Sequence, residues 1–312
     1  MFQYLLARIL QLRVPGTIIT GLDLPQFGLT CSADVAEPAD VHRIEIAGHV
    51  FPLAETVEAL RKFDNVTVDL RWVCMRMAYF RRYLDFARDL FPIDPSLQTG
   101  FDERYLVINI RAEDVLKGEH PNYTLLPIAW YRHLIESSGL VPVFMGQLAD
   151  DPYTLELRRC FPAANFVVNA NPLDDFNVIR TSTNVVLSVS SFAWLAAWLS
   201  TSARRIVLPV IGMYNPMDRP DVDLLPVQDS RYEFRLFQRE HWTGSPEQLA
   251  ARMQGPADVG SLRALTWPRL YRAKVTRELA RSGRLPAGLS LPGEIYAALV
   301  GWWHGGIFRE AG

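Results

Sequence analysis

One stretch in the second half of the chain constrains the fold most, because it combines a strand, a turn and a helix. It runs from Asp174 to Leu199 and contains no charged residue after Arg180. Val185 to Leu187 is a short apolar run between polar residues and predicts a buried strand, while Phe192 to Leu199 predicts a helix. The serines between them lie where the free N–H groups of a helix point outward, an arrangement that suits an anion such as phosphate.

Two simpler interpretations of this stretch remain open. The strand, turn and helix can all belong to the core, with a serine acting only as the N-cap of the helix. The absence of charge between Arg180 and Arg204 also permits a transmembrane helix, but the polar residues Thr181 to Asn184 and the serines in its middle argue against one.

Composition and charge exclude several classes of protein. Of 312 residues, 49% are hydrophobic and 21% are charged, which indicates an ordinary globular protein, and a formal net charge of −2 gives no overall field to attract nucleic acid. The three cysteines include no C-x-x-C pair, so neither a disulfide framework nor a zinc site is expected and a reducing compartment is favoured. The N-terminus has no basic segment before its apolar residues, unlike a signal peptide. We therefore expect a cytoplasmic protein that does not bind nucleic acid.

Apolar runs alternate with helical patterns between residues 105 and 210, and this alternation predicts the fold class. Tyr105 to Ile110 and Val141 to Gly146 are apolar runs of the kind expected for parallel strands buried on both faces. Further strands are predicted at Asn165 to Val168, Val185 to Leu187 and Arg205 to Pro209, with helices between them. This order is typical of a doubly wound parallel α/β sheet, in which ligands bind beyond the carboxyl ends of the strands.

Two polar groups fall at strand ends in this scheme. Arg111 follows the first of these strands, and a serine turn, Ser188 to Phe192, follows the fourth. A guanidinium group matches phosphate oxygens and stays charged at any physiological pH, so the two groups together predict a clamp for a diphosphate. Alternatively, Arg111 is a structural ion-pair partner of Glu113 or Asp114.

The N-terminal part of the chain shows a weaker form of the same alternation. We predict helices at Phe2 to Leu12, Leu53 to Phe63 and Met75 to Phe91, and strands at Thr17 to Ile19, Arg43 to Ile46 and Val66 to Leu70. The arginines of the last helix are expected to form a solvated face, or else a patch that faces an acceptor or a membrane. Phe91 to Glu103, with two prolines and a glycine, is the best candidate for a domain boundary.

Several of these segments resemble a known family. D-D-F-N-V-I-R-T-S-T-N-V-V-L-S-V-S-S-F-A-W-L-A-A-W-L, from Asp174, resembles the C-terminal signature of the family 11 glycosyltransferases, the α-1,2-fucosyltransferases. I-N-I-R-A-E-D, from Ile108, resembles their H-(V/I)-R-R-G-D strand end. M-F-Q-Y-L-L-A-R-I-L, from Met1, resembles the helix after their opening G-G-L-G-N-Q loop, and R-W-V-C-M-R-M-A-Y-F, from Arg71, loosely resembles their G-Y-F-Q-x-x-x-Y-F segment.

The resemblance implies a GT-B-like fold of two Rossmann-like domains with parallel sheets and a cleft between them. The expected parts are an acceptor-side domain at 1–98, a donor-binding domain at 99–260, and C-terminal helices at 261–312 that pack back on the first domain. It also implies an inverting, metal-independent transfer of fucose from GDP-fucose to a hydroxyl of a glycan acceptor, either a surface polysaccharide or its lipid-linked precursor.

The resemblance further implies the role of particular residues. Arg111 would bind the donor diphosphate and stabilise charge on the leaving nucleoside diphosphate. The other implied donor-binding residues are Asn109, Gly146, Asp175, Ser188, Ser190, Ser191 and Phe192. Asp175 would accept hydrogen bonds from the guanine edge. Glu119 is the first candidate for the general base, because it corresponds to a glutamate of the related α-1,6-fucosyltransferases, and His120 and Asp114 are further candidates.

The chain departs from the family pattern at the strand end and at its start. Asn109 replaces the family histidine, Ala112 its second arginine and Glu113 its glycine, so one cation that would face the phosphates is missing. The chain also begins within the G-G-L-G-N-Q-M-F-Q motif, and we expect an N-terminal truncation there. A catalytically impaired homologue that binds a sugar nucleotide or a glycan, and a transferase for another nucleotide sugar, are therefore alternatives.

Two further segments bear on cofactors and partners. Asp221-Val222-Asp223 has the D-x-D spacing that holds a divalent cation in another glycosyltransferase fold, but it lies between prolines and is interpreted as a solvent-exposed loop, so no metal or other cofactor is expected. The C-terminal segment combines a basic helix, Leu262 to Arg284, with the aromatic sequence E-I-Y-A-A-L-V-G-W-W-H-G-G-I-F. We expect it to dock on the first domain, with peripheral membrane contact as the alternative, because Trp and Tyr favour the bilayer interface.

Overall fold

The computed structural model describes residues 1–30, 41–50, 53–71, 74–216, 218–219, 221–255 and 263–264 of the chain. The helices are α1 (Phe2–Arg13), α2 (Leu53–Lys62), α3 (Met77–Phe80), α4 (Leu84–Leu90), α5 (Glu113–Leu116), α6 (Ile128–Ser138), α7 (Pro152–Cys160), α8 (Pro172–Thr181), α9 (Ser191–Leu199) and α10 (Pro246–Gln254). The strands are β1 (His42–Ile46), β2 (Val66–Leu70), β3 (Tyr105–Ile110), β4 (Val141–Gly146), β5 (Asn165–Val167), β6 (Asn184–Val186), β7 (Arg205–Val210), β8 (Tyr232–Leu236) and β9 (Arg263–Ala264). Apart from β9, the C-terminal part predicted at 261–312 lies outside the described residues.

The larger sheet has the strand order β5-β4-β3-β6-β7-β8-β9, and its pairs are parallel except for β8 with β9. The chain runs from β3 through β4 to β5 on one side, and then returns to the other side of β3 with β6, β7 and β8. This is the 3-2-1-4-5-6 order of doubly wound folds, in which the direction changes between the first and the fourth strand, here β3 and β6. The predicted α/β class is confirmed, and β3 and β4 have the predicted bounds.

Helix α9 lies deep in the core because apolar side chains cover its whole circumference. The residues from Ala193 to Leu199 are all buried. Trp194 stacks on Trp198 with ring centroids 5.6 Å apart, and its indole Nε1 donates a hydrogen bond to the carbonyl oxygen of Leu224 at 2.7 Å. In the part of the chain that the structure describes, neither this helix nor any other has the length and apolar character needed to span a membrane.

The smaller sheet pairs β1 with β2 in parallel along their whole length. Helix α1 connects this N-terminal part with helix α9. The side-chain amide of Gln3 donates to the carbonyl oxygen of Leu70 in β2 at 3.0 Å, and the ring of Phe2 packs against that of Trp194 at a centroid distance of 5.7 Å. A single hydrophobic core therefore extends through both parts. The division into two Rossmann-like domains with a cleft between them stays a prediction.

Two arginines join the ends of helices across these parts. Arg88 of α4 donates hydrogen bonds to the carbonyl oxygens of Leu199 and Ser200, at 3.1 and 3.2 Å, at the C-terminal end of α9. Arg180 of α8 in turn donates to the carbonyl oxygens of Arg88 and Phe91 at the C-terminal end of α4. Cations in these positions satisfy carbonyl groups that have no partner within their own helix.

Local predictions in the N-terminal part are wrong at three points. Thr17 to Ile19 forms no strand; instead the N–H and the hydroxyl of Thr17 both donate to the carbonyl oxygen of Val14 and close a turn. The helix predicted from Met75 to Phe91 is interrupted, and consists of α3, a 3₁₀ turn at Arg81–Tyr83, and α4. Arg76 is 8% exposed, so it does not belong to a solvated face.

Candidate functional site

The carboxyl ends of β3 and β6 meet where the strand order changes direction, and we call this place the switch point. Asn109 of β3 accepts a hydrogen bond from Ser188 Oγ, just after β6, at 2.5 Å, and both side chains are buried. Gly146 ends β4 with φ 103° and approaches β3 so closely that a Cβ atom would lie 2.4 Å from the carbonyl oxygen of Ile110. The structure thus brings three predicted donor-binding residues together at one edge of the sheet.

Arg111 follows β3 directly and is held from two sides. Its guanidinium group donates two hydrogen bonds to the carboxylate of Asp114, at 3.1 and 2.5 Å, and its Cζ atom lies 4.0 Å from the centre of the Tyr123 ring. Burial disfavours the charge of Arg111, but the interactions with Asp114 and Tyr123 outweigh burial, and the pKa of Arg111 is raised. The ion pair with Asp114 is confirmed, and 22% of the Arg111 side chain is exposed. The diphosphate clamp stays a prediction.

The serine turn forms the N-terminal end of α9. Ser190 is the N-cap, and its Oγ accepts a hydrogen bond from the N–H of Ala193 at 3.3 Å, so the simple capping role is confirmed. The hydroxyl of Tyr214 donates to the carbonyl oxygen of Ser190 at 2.7 Å and accepts from its N–H at 3.2 Å. Ser191, the first helical residue, is partly exposed. Tyr214 therefore fixes the turn, and the first turn of α9 stays open to solvent at Ser191.

The remaining donor-binding candidates are Phe192, which ends the serine turn, and Asp175 of α8. The half-buried ring of Phe192 packs edge-on against Phe176 of α8, with centroids 5.2 Å apart. Asp175 precedes Phe176, and its carboxylate accepts a hydrogen bond from the side-chain amide of Asn169 at 2.8 Å. Burial is the largest cause of a raised pKa of Asp175. The hydrogen bond from Asn169 acts in the opposite direction, and the charge of Asp174 raises the pKa further. A half-buried carboxylate here can accept hydrogen bonds from the edge of a nucleobase.

The candidates for the general base have different surroundings. Burial acts to raise the pKa of Asp114, but the hydrogen bonds from Arg111, with a smaller effect of His120, lower it overall. His120 is exposed, and its ring centroid lies 5.8 Å from that of Tyr123. The carboxylate of Glu119 faces the ammonium group of Lys117 at 3.8 Å and is half-exposed.

Gln147 is a site residue that the sequence analysis missed. Its Oε1 accepts hydrogen bonds from the backbone N–H groups of Ala112 and Glu113, at 2.9 and 3.2 Å, and its own N–H donates to the carbonyl oxygen of Ile110 at 3.0 Å. Gln147 therefore fixes the backbone on both sides of Arg111. A glutamine after a strand belongs to no pattern that would have singled it out.

We expect Gln147→Ala to lower the free energy of unfolding by about 1–2 kcal/mol, because two backbone N–H groups lose their acceptor. Gln147→Glu keeps an oxygen acceptor for the same groups and is expected to match the wild type. Urea denaturation followed by tryptophan fluorescence measures both variants. An alanine variant as stable as the wild type would show that these hydrogen bonds do not hold the Arg111 segment.

The loop after β7 borders the switch point because its first residues contact the segment before Tyr123. Gly212 has φ 54°, and a Cβ atom there would lie 2.3 Å from the carbonyl oxygen of Asn122. The N–H of Met213 donates to the same oxygen at 2.8 Å. A side chain at Gly212 would push the two loops apart, so the glycine permits this close approach.

The D-x-D sequence is not a solvent-exposed loop, and that interpretation is wrong. Val222 is 4% exposed. The N–H of Asp223 donates to the carbonyl oxygen of Met75 at 2.9 Å, and the N–H of Met77 donates to that of Asp223 at 2.7 Å, so the loop is joined to the N-terminal part. The carboxylate of Asp221 accepts two hydrogen bonds from Arg219, at 3.0 and 2.8 Å. Backbone hydrogen bonds between such distant segments cannot be predicted from the local sequence.

No family model, curated protein or solved structure matches the chain. The membership of the family 11 glycosyltransferases that the motifs suggest therefore stays a prediction. Within the described residues, no three His, Cys, Asp or Glu side chains are grouped so that they could hold a metal ion.

A cavity of about 860 Å³ lies apart from the switch point, in the N-terminal part. It is bounded by the C-terminal half of α1, by residues 14–22 and by residues 63–70. None of the predicted site residues lines it.

Proposed function

We propose that this protein is an inverting glycosyltransferase that needs no metal and transfers fucose from GDP-fucose to a hydroxyl of a glycan. The observation that supports this most is the position of Arg111 and of the N-terminal end of α9 on the two sides of the switch point. Ligands bind at this place in doubly wound sheets, and both a guanidinium group and a helix N-terminus attract phosphate. The motif resemblance supports the choice of guanine and fucose, and of a surface polysaccharide or its lipid-linked precursor as acceptor.

The donor half of the proposal follows from the charges at the switch point. Arg111 binds the diphosphate and stabilises the negative charge that grows on it as the bond between the sugar and the phosphate oxygen breaks. The first N–H groups of α9 add a second attraction from the other side. Asp175 accepts hydrogen bonds from N1–H and the exocyclic amine of guanine.

The acceptor half needs a base that takes the proton of the attacking hydroxyl. We assign this role to His120, because it is exposed and imidazole is the side chain that most often acts as a general base. Asp114 itself is a weak base, since Arg111 holds its pKa low. Glu119, the first candidate from the sequence, is half-exposed beside Lys117 and stays the alternative.

One observation favours a second function, the binding of a sugar nucleotide or glycan without turnover. Asp114 already occupies two N–H groups of Arg111, and Ala112 offers no second cation at this strand end. Weak stabilisation of the leaving diphosphate would slow transfer more than it would prevent binding, because the charge on the diphosphate grows during the reaction.

The test is a thermal-shift and calorimetric titration with GDP, GDP-fucose, UDP and ADP. We expect GDP and GDP-fucose to raise the melting temperature more than UDP and ADP at equal concentration. Arg111→Ala is expected to raise the Kd for GDP at least about tenfold, which is about 1.4 kcal/mol. Arg104→Ala is the matched control, since Arg104 is 73% exposed and lies before β3.

Different outcomes separate the candidate functions. Release of GDP and free sugar from GDP-fucose by the wild type, but not by Arg111→Ala, supports an enzyme, whereas binding without release supports the second function. Stronger stabilisation by UDP or ADP would show that the donor is a sugar nucleotide of uracil or adenine and not GDP-fucose. Absence of stabilisation by all four ligands would contradict the proposed site.

A further inference from the structure

The guanidinium group of Arg111 is planar and carries five N–H donors, and only part of it is occupied. Nε and Nη2 each donate to one carboxylate oxygen of Asp114, at 3.1 and 2.5 Å, so Asp114 takes the edge that these two nitrogens form. The Cζ atom lies over the ring of Tyr123, 4.0 Å from its centre, which is well within the distance of a cation–π contact. Two neighbouring side chains therefore hold this group in one orientation.

The edge formed by Nη1 and Nη2 is left for a ligand. Within the residues that the structure describes, Nη1 of Arg111 donates no hydrogen bond. The polar side-chain atoms that are buried there without a partner all belong to other residues, so Nη1 is open to solvent. Nη1 and the second N–H of Nη2 can bind two oxygen atoms of one phosphate group while Asp114 keeps both of its hydrogen bonds.

Tyr123 extends from a backbone segment that is anchored independently of Arg111. The carbonyl oxygen of Asn122 accepts a hydrogen bond from the N–H of Met213, in the loop after β7, at 2.8 Å. The carbonyl oxygen of Pro121 accepts one from the N–H of Trp242 at 3.3 Å. Two distant loops thus fix the backbone immediately before Tyr123, and its side chain has only two torsions to order. The ring is therefore a rigid support for whatever lies against it.

We propose that Tyr123 is a positioning residue of the phosphate site, and that its ring holds the guanidinium group of Arg111 so that the edge formed by Nη1 and Nη2 receives the anion. The inference rests on the proposed function and adds to it the residue that orients the cation. An arginine that is already held in place loses less rotamer freedom when the anion binds, so binding is tighter. Gln147 fixes the backbone of the same residue, and the ring of Tyr123 completes the support at the side chain.

The test measures the Kd of inorganic pyrophosphate and of GDP by calorimetry for Tyr123→Leu and Tyr123→Phe. Leucine is apolar but has no aromatic face for the guanidinium group, whereas phenylalanine keeps the ring and loses only the hydroxyl. We expect Tyr123→Leu to raise both Kd values about fivefold, because the cation–π contact and the orientation of Arg111 are lost. Tyr123→Phe is expected to raise them by less than about twofold, because the ring remains.

Tyr105→Leu is the matched control, because it removes a ring beside an arginine at the opposite end of the same strand. Tyr105 begins β3, and the Cζ atom of Arg104 lies 5.6 Å from the centre of its ring. Its side chain is half-buried, as that of Tyr123 is. We expect Tyr105→Leu to leave both Kd values unchanged, so that a loss of binding confined to Tyr123→Leu reports on the contact with Arg111.

The outcomes separate this inference from the proposed function. If Tyr123→Leu binds both ligands as the wild type does while Arg111→Ala loses GDP binding, the inference alone fails. If Tyr123→Phe weakens binding as much as Tyr123→Leu, the hydroxyl and not the ring acts on the site, and the inference is overturned. If the wild type binds neither pyrophosphate nor GDP, the inference and the proposed function fail together.

Discussion

Replacing Arg180 with methionine is expected to lower the free energy of unfolding by about 3 kcal/mol. Arg180 is 3% exposed, and its guanidinium group donates to the carbonyl oxygens of Phe91 and Arg88 at the end of α4. Methionine fills a similar volume but leaves both carbonyl groups without these donors, at a cost of about 1–3 kcal/mol each. Burial of the charge lowers the pKa of Arg180 to about 10, and removing that charge offsets part of the loss.

Urea denaturation of Arg180→Met measures this difference, with Arg104→Met as the control. Arg104 is 73% exposed and pairs with Asp102, so its replacement is expected to change stability by less than about 0.5 kcal/mol. An Arg180 variant that unfolds at the wild-type urea concentration would show that the arginine does not join α8 to α4 energetically.

Much of the larger sheet can be predicted from the sequence, because its strands are apolar runs that end at recognisable residues. β3 ends before the charge of Arg111, and β4 ends at Gly146. The sequence analysis missed β8, although apolar and charged residues alternate from Tyr232 to Leu236. In the structure the apolar residues are buried and the charged ones half-buried. Thr17 to Ile19 has the composition of a strand, but the hydrogen bonds of Thr17 to Val14 turn the chain there instead.

The sequence predicts the part of the candidate site that lies at the ends of strands. Arg111 follows β3 directly and Ser190 caps the helix that follows β6, and the parallel sheet then brings them to the same edge. Tyr123 reaches Arg111 because its segment touches the loop after β7 at Gly212, and such a contact between distant loops depends on the assembled fold. The sequence therefore indicates the edge of the sheet where we propose that a ligand binds, while the second layer of side chains around Arg111 requires the structure.

This edge of the sheet depends on the close approach of the backbones of β3 and β4 at Gly146. Gly146→Ala is therefore expected to lower the free energy of unfolding by about 3–4 kcal/mol. The new Cβ atom would lie 2.4 Å from the carbonyl oxygen of Ile110, a backbone atom that cannot move without shifting β3. Gly139→Ala separates this clash from backbone strain, because Gly139 also has a positive φ, of 65°, but nothing within 4 Å of its Cβ position. It is expected to cost only about 1 kcal/mol. Equal losses in urea denaturation of the two variants would mean that β3 and β4 can separate freely beside the switch point, and Arg111 would then lack the rigid support that the proposed phosphate site requires.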